Sequence, residues 1–216
     1  MEAITGFETR EKLPAKVLQM YRAVLELMEE GADVTTLRVS TITERAGIGK
    51  GTAYEYFTSR EEIVASAVIF HIKELMQALY ELLDCKNSFE EQLDWMLDEM
   101  SKEDGRKFCY LRTIHILTDS SDFSKLIRQK MDSESFEQYM PTFVFGNILQ
   151  RAVERGELRD DLPLEYMAFL VLSHLLTYMM TITVEDSQRL ESAKIKHFVR
   201  QGILNELCKK NVYLLC

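Results

Sequence analysis

The sequence predicts an all-helical protein. Apolar residues recur every three or four positions along nearly all of its 216 residues, which is the spacing of one helix face. Only 3 Pro and 9 Gly interrupt this pattern, and no useful length of sequence alternates in the manner of a strand. We expect about nine helices, of which three form a small N-terminal domain, residues 1–59, and the others a larger domain, residues 60–216.

The first helix is expected to begin near Pro14, because a proline in the first turn sacrifices no hydrogen bond. Val17, Tyr21 and Val24 then share one face. Gly31 is placed to end the helix, since glycine adopts the left-handed conformation of a helix C-terminus at little cost.

Two short helices are predicted between residues 37 and 57, separated by a turn at Gly47. Val39, Ile42 and Ala46 face inward from the first of them, and Ala53 and Phe57 anchor the second. This pattern is that of a helix-turn-helix unit, in which the tight turn needs a glycine. The exposed face of the second helix would then carry Lys50, Gly51, Thr52, Tyr54, Glu55 and Tyr56.

Capping patterns begin the helices that follow: Ser59 with Glu62, Ser88 with Glu91, and Asp122. Pro141 should kink or divide the helix in which it lies. The helices are expected over about 60–84, 88–105, 108–118, 122–156, 164–182 and 186–208.

The charge pattern gives only a weak indication of nucleic-acid binding. The net charge is −9, which opposes binding to phosphates. Residues 1–60 are nearly neutral, however, with eight basic and nine acidic side chains, and residues 35–60 have four basic against two acidic side chains.

The exposed residues of the second short helix suit the major groove of DNA. Lys50 can reach a phosphate or a guanine, and Gly51 lets the backbone approach closely. Thr52 and the two tyrosines offer hydroxyl groups and flat contact surface. A merely polar turn would explain Gly-Lys-Gly-Thr equally well if it stood alone, and it is not a phosphate-binding P-loop, because that spacing and a preceding strand are missing.

Residues 46–57, Ala-Gly-Ile-Gly-Lys-Gly-Thr-Ala-Tyr-Glu-Tyr-Phe, followed by Ser-Arg-Glu-Glu at 59–62, resemble the DNA-binding region of the tetracycline-repressor-like (TetR) family of bacterial regulators. The similarity extends from Leu37 to Ile63, and the rest of the chain agrees in helix layout and in the loop at 156–161. The resemblance implies a cytoplasmic homodimer that binds double-stranded operator DNA and an unknown small-molecule effector.

The resemblance also implies roles for single residues. Ser40 and Thr41 lie where the family's first motif helix touches the DNA backbone, and Arg60 lies where a phosphate-binding lysine is common. The complete DNA-binding set expected is Arg38, Ser40, Thr41, Lys50, Gly51, Thr52, Tyr54, Tyr56 and Arg60.

Several residues depart from the family pattern. Arg38 replaces a threonine cap, Gly49 replaces a serine cap, and Thr58 replaces a common lysine. Glu55 has two interpretations: it accepts a hydrogen bond from a cytosine amino group, or it only tunes the local field.

In the family, the last two long helices form the dimer interface, here about 163–183 and 186–208. The first of them is too apolar to face water, which independently suggests burial against a partner. A two-fold dimer would place its recognition helices ~34–36 Å apart, or somewhat more, so the operator should be a near-palindrome.

The effector pocket would lie among the helices spanning 60–155. Adaptable methionines and flat aromatic rings suit such a pocket, although plain core packing explains each of them as well. The candidates are Trp95, Met96, Tyr110, His115, Phe136, Tyr139, Met140, Phe143 and Asn147. The hypothesis for control is that the effector changes the pose of the long helix that begins near Arg60, and so the separation of the recognition helices.

No cofactor, metal site, signal peptide or membrane span is expected. The four cysteines lack metal-type spacing, and the first twenty residues are charged throughout. The apolar stretch 167–182 is shorter than the roughly 20 residues that span a bilayer.

Two alternatives remain. A helical enzyme would need a catalytic motif, and no serine elbow, His-Glu-x-x-His or dinucleotide loop is present. A helical adaptor could keep the fold and lose DNA binding, but Lys50, Thr52, Tyr54 and Tyr56 argue against it.

Overall fold

A computed structural model of the chain describes residues 4–85, 88–102, 119–132, 134–183 and 191–209. These residues form α-helices and one short 3-10 helix, Arg10–Lys12. Within these ranges the only strand-like pairing is an isolated bridge between Leu158 and Cys208. The prediction of an all-helical fold is confirmed.

Ten α-helices occur in the described ranges, nine of them with seven or more residues. In chain order they are α1 (Ala15–Glu29), α2 (Val39–Arg45), α3 (Lys50–Tyr56), α4 (Arg60–Asp84), α5 (Phe89–Met100), α6 (Asp122–Met131), α7 (Glu134–Glu137), α8 (Pro141–Glu154), α9 (Leu164–Thr183) and α10 (Ser192–Leu207). The helix predicted over 108–118 lies outside the described residues.

The chain divides into two compact units. The first contains the described residues of 1–75 and 105–139, and the second those of 76–104 and 140–216. The first unit therefore holds α1 to α3, the beginning of α4, and α6 and α7. The functional boundary between residues 59 and 60 stays a prediction.

Aromatic packing around Tyr21 joins the helices of the first unit. The Tyr21 ring lies 6.2 Å from that of Phe57 and 5.3 Å from that of Phe70, measured between centroids. Burial raises the pKa of the Tyr21 hydroxyl well above its ordinary value. The helix ends as predicted, since Gly31 has a φ of +101°.

The N-terminal segment lies along α4. Lys73 is 2% exposed, and its Nζ donates to the carbonyl oxygens of Phe7 and Glu8 at 3.2 and 2.7 Å. Arg10 pairs with Glu74 one residue further along the helix. A buried ammonium needs such acceptors, because burying a charge without partners is costly.

The second unit is a packed group of four helices. Helix α9 contacts α8 and α10, and α5 contacts α8 and α10. Ion pairs join α10 to α5: Arg200 binds Asp94 at 2.6 Å and also Glu90, and Lys196 binds Asp98. The Tyr178 hydroxyl lies 2.6 Å from that of Ser101.

Some helix ends differ from the predictions. Ser121, not Asp122, caps α6, because its Oγ accepts from the Ser124 amide at 3.2 Å. The helix expected to continue from there ends at Met131, and a new one begins at Pro141, as the proline predicted. The described part of the last helix begins at Ser192, and residues 186–190 of its predicted range lie outside the described residues.

Two helices are long and apolar enough to cross a membrane by length and composition: Arg60–Glu81 within α4, and α9. Core helices of soluble proteins pass the same test, and most of the α4 window is buried inside the protein. Only a third of the most apolar part of α9 is buried. The helix has 20 residues and is therefore longer than the apolar stretch 167–182 recognised in the sequence.

Replacing Gly6 by alanine is expected to loosen the N-terminal segment. Gly6 has a φ of +92°, and an added side-chain carbon would collide with the carbonyl oxygen of Ser66. Gly47→Ala is the matched control, because Gly47 has a φ of +67° with open space around it. The strain of a left-handed alanine is about 1 kcal/mol at both sites, and the collision adds a further ~1 kcal/mol at Gly6 alone.

Urea unfolding and limited proteolysis measure this difference. The result expected is a larger loss of unfolding free energy for Gly6→Ala, with faster cleavage before residue 14. Equal losses for the two variants would contradict the close packing of this segment on α4.

Candidate nucleic-acid interface

Helices α2 and α3 are joined by a tight turn at Gly47. The turn is closed by two backbone hydrogen bonds, from the Ile48 amide to the Thr43 carbonyl at 3.0 Å and from the Gly47 amide to the Glu44 carbonyl at 3.2 Å. Ile42 is fully buried on α2, and Ala53 is fully buried on α3. The predicted helix-turn-helix is therefore present, with its glycine in the left-handed region.

The outward face of α3 carries the residues that the sequence placed there. Lys50, Gly51 and Glu55 are exposed, and Tyr54 is 51% exposed. Thr52 and Tyr56 are half-buried on the flanks of the same helix. Six polar or small residues thus share one short helix whose inward side is occupied by Ala53.

Helix α2 presents a second part of the same motif. Arg38 and Thr41 are exposed, whereas Ser40 is half-buried. No side chain caps α2 at Arg38 or α3 at Gly49, in agreement with the two departures from the family pattern.

Two of the four basic residues counted between 35 and 60 are engaged in ion pairs. The Arg45 guanidinium donates to both carboxylate oxygens of Glu30 at 2.8 and 2.7 Å, and it lowers the pKa of that carboxyl. Arg60 binds the Glu61 carboxylate and lowers its pKa in the same way. Arg38 and Lys50 make no ion pair with the described residues, so they are the cations left for an anionic partner.

Arg60 also holds the segment that leads into α2. Its Nη1 donates to the carbonyl oxygens of Thr35 and Leu37. Sequence reasoning did not foresee this contact, nor the Arg45–Glu30 pair, because each joins residues 15 or more positions apart. A phosphate would have to displace Glu61 to reach the Arg60 guanidinium.

The start of α4 is capped as expected, with one shift. The Glu62 amide donates to Ser59 Oγ at 3.2 Å. The Glu62 carboxylate reaches the amide and hydroxyl of Thr58, one residue beyond the usual reciprocal bond, and the Thr58 side chain lowers the pKa of Glu62. The helix that follows α3 is therefore tied directly to the residues after Phe57.

The candidate effector residues fall into both units. In the first, Phe136 is fully buried and Tyr139 half-buried, with ring centroids 5.8 Å apart, and Phe136 also lies 5.4 Å from Phe7. Tyr110 and His115 lie outside the described residues.

In the second unit, α5 carries Trp95, half-buried, and Met96, 4% exposed. Helix α8 carries Phe143, 45% exposed, and Asn147, half-buried, and Met140 precedes it. The pocket itself stays a prediction. Within the described part of the chain, no three His, Cys, Asp or Glu side chains are grouped to hold a metal ion.

The DNA-binding segment matches a family model. Residues 22–67 match the model for bacterial regulatory proteins of the tetR family. That range includes the helix-turn-helix, the end of α1 and the start of α4. No curated protein matches the chain.

Solved structures show the same fold along most of the chain. The fatty acid degradation regulator FadR from Bacillus halodurans is 17% identical, with a TM-score of 0.67 over 89% of this chain and 96% of that one. FadR from Bacillus subtilis in complex with stearoyl-CoA is 19% identical, with a TM-score of 0.63 over 87% and 97%. The SmeT–triclosan complex is 17% identical, with a TM-score of 0.66 over 93% and 95%.

The residues that match the family model include those that form the helix-turn-helix in the structure. Among them are the glycine turn, the buried anchor of α3 and the exposed polar face of α3. Residues 22–67 therefore carry a DNA-binding domain of the kind found in bacterial regulatory proteins of the tetR family, and the chain is a DNA-binding transcriptional regulator.

Proposed function

We propose that the protein is a homodimeric repressor that is released from a palindromic operator when a small-molecule effector binds its helical C-terminal domain. The observation that carries the proposal is the exposed polar face of α3, a helix whose inward side is Ala53. The proposal assigns the protein to the cytoplasm, where bacterial DNA lies, and gives it no catalytic residue.

The DNA contacts are proposed for residues of both motif helices. Lys50, Thr52, Tyr54 and Tyr56 on α3 enter the major groove, where side-chain donors meet base edges and phosphates. Gly51 permits close approach of the backbone. Arg38, Ser40 and Thr41 contact the backbone of the DNA. Arg60 also binds a DNA phosphate, which replaces the Glu61 carboxylate as the partner of its guanidinium.

A second copy of the chain is proposed to cover α9 and α10. Tyr166, Phe169 and Met180 lie on one face of α9 and are 52%, 61% and 53% exposed, and Phe198 on α10 is 63% exposed. Large apolar side chains on a contiguous exposed surface indicate an interface. Exposed Ser173 and Thr177 lie in the same stripe on α9, and their hydroxyls donate to the carbonyl oxygens of Leu170 and Ser173.

The effector is proposed to bind in the second unit, beside α5 and α8. The solved relatives include one complex with stearoyl-CoA and one with triclosan. For this chain we propose a ligand with a large apolar part, because Trp95, Met140 and Phe143 are partly accessible.

Release would follow from the continuity of α4. This helix begins three residues after Phe57 and continues unbroken to Asp84, so both units of the chain include part of it. An effector that favours one pose of α4 disfavours the other, and DNA affinity falls by the same coupling free energy.

Removing the side chains that face the groove tests DNA binding. The double variant Lys50→Ala, Tyr54→Ala is expected to lose more than about tenfold in affinity for DNA from upstream of its own gene, because both a phosphate contact and groove surface disappear. Fluorescence anisotropy over a range of salt concentrations is the measurement, and binding of the parent should weaken steeply with salt.

Lys16→Ala, an exposed lysine on α1, is the control for simple loss of charge and should bind nearly as the parent does. Unchanged retention of the double variant on the same DNA would instead favour the adaptor that has lost DNA binding.

A charge placed on the outer face of α9 tests the dimer. Phe169→Glu is expected to be monomeric at concentrations where the parent is dimeric, because the interface would bury an unpaired carboxylate. Sedimentation equilibrium measures the mass. Phe143→Glu, which changes a 45% exposed phenylalanine on α8, should stay dimeric; a monomeric parent would refute the proposed interface.

A further inference from the structure

Gly51 and Glu55 form the outermost ridge of α3. Successive residues of an α-helix are rotated by about 100°, so residues two positions before and after a given residue lie on the opposite side of the helix. Ala53 is fully buried, and Gly51 and Glu55 are the residues two positions before and after it. They therefore project furthest from the core, with Lys50 and Tyr54 on one flank and Thr52 and Tyr56 on the other.

The chain itself does not require a glycine at position 51. A side-chain carbon added there would meet nothing within 4 Å, and the backbone of Gly51 is not in the left-handed region. Alanine would be the better helix former at such a position. Neither packing nor backbone conformation requires Gly51, and the missing side chain leaves the backbone of α3 open to an approaching molecule at this point.

The Glu55 carboxylate on the same ridge makes no hydrogen bond or ion pair with the described residues. Other acids of the first unit are engaged: Glu30 with Arg45, Glu61 with Arg60, and Glu62 with Thr58. Exposed acids also occur at Glu29 and Glu44, so lack of a partner does not single out Glu55. Glu55 is distinguished by its position beside Gly51, at the centre of the exposed side of α3.

An unpaired carboxylate facing DNA is repelled by the phosphates, unless it finds a hydrogen-bond donor. The only donors that base pairs present in the major groove are the amino groups of cytosine and adenine. The adenine amino group lies between two acceptors, N7 of adenine and O4 of thymine, which repel a carboxylate. The cytosine amino group has an acceptor on one side only, so a carboxylate approaches it with less repulsion.

We propose that Glu55 is a specificity-determining residue that accepts a hydrogen bond from the amino group of one cytosine in each operator half-site, and that Gly51 allows the approach this contact needs. The proposal rests on the entry of α3 into the major groove. Glu55 lowers the affinity for sequences without that cytosine more than it raises the affinity for sequences with it, because repulsion remains wherever the donor is missing.

The experiment selects bound duplexes from a pool of random double-stranded oligonucleotides, with the parent protein and with Glu55→Gln, and then measures single-base substitutions of the selected duplex. The parent is expected to discriminate by about fivefold or more for cytosine at one position per half-site. In Glu55→Gln this preference should be lost or shift to adenine, the base that glutamine binds through two hydrogen bonds.

Glu44→Gln is the matched control, since it removes an exposed carboxylate from the neighbouring helix α2. It should keep the cytosine preference of the parent. If Glu55→Gln raises affinity equally for all sequences and keeps every base preference, then Glu55 only tunes the field and the proposal is overturned. A parent that selects no sequence would refute instead the groove contact of α3.

Gly51→Ala provides an independent readout. It should lower affinity for the selected duplex about tenfold while the melting temperature stays the same or rises, a combination that a purely structural glycine would not produce. Unchanged affinity would exclude the close approach on which the Glu55 contact depends.

Discussion

The packing of Ala53 against the core of the first unit is the interaction on which the rest of the DNA-binding surface depends. Helix α3 has only seven residues, too few to be stable alone in water, so its position comes from packing against the core. Ala53 is its fully buried side chain, and Phe57 continues the contact through the ring of Tyr21. Because alanine is small, the helix lies close to the core, with Lys50, Tyr54 and Glu55 exposed and Thr52 and Tyr56 half-buried on its flanks.

The ion pairs of the first unit reconcile an acidic chain with DNA binding. Arg45 and Arg60 are occupied by Glu30 and Glu61, and Arg45 thereby fastens α2 to α1. Such exposed pairs add little stability, but they remove both charges from the local field. Lys50 and Arg38 form no ion pair within the described part of the chain and remain as cations on a surface of modest charge. We therefore expect recognition by groove contacts to matter more here than general attraction to phosphates.

The second unit combines ion pairs between helices at its surface with one apolar helix face that remains exposed. Arg200 and Lys196 fasten α10 to the acidic side of α5. Helix α9 meanwhile keeps three large apolar side chains exposed on one face. Burying this exposed apolar surface against another molecule would be favourable, because it removes the surface from water. This is the physical basis for proposing a second copy there.

The sequence by itself determined the features that depend on neighbours along the chain. The glycines that end α1 and turn from α2 to α3, the Ser59 cap and the break before Pro141 each follow from local backbone chemistry. The outward face of α3 was predictable for the same reason, since helical periodicity fixes it once Ala53 is inside. Such local patterns can place the end of a helix one residue away from its true position. The cap of α6, for example, is Ser121 and not the predicted Asp122.

Only the tertiary structure decided which charges are paired and which are buried. Lys73 is 2% exposed, and its ammonium donates to two carbonyl oxygens of residues more than 60 positions away. The pairing of Arg45 with Glu30 and the grip of Arg60 on residues 35–37 are likewise contacts between distant positions. Such contacts depend on how the helices meet, and the spacing of residues along the chain carries no record of that.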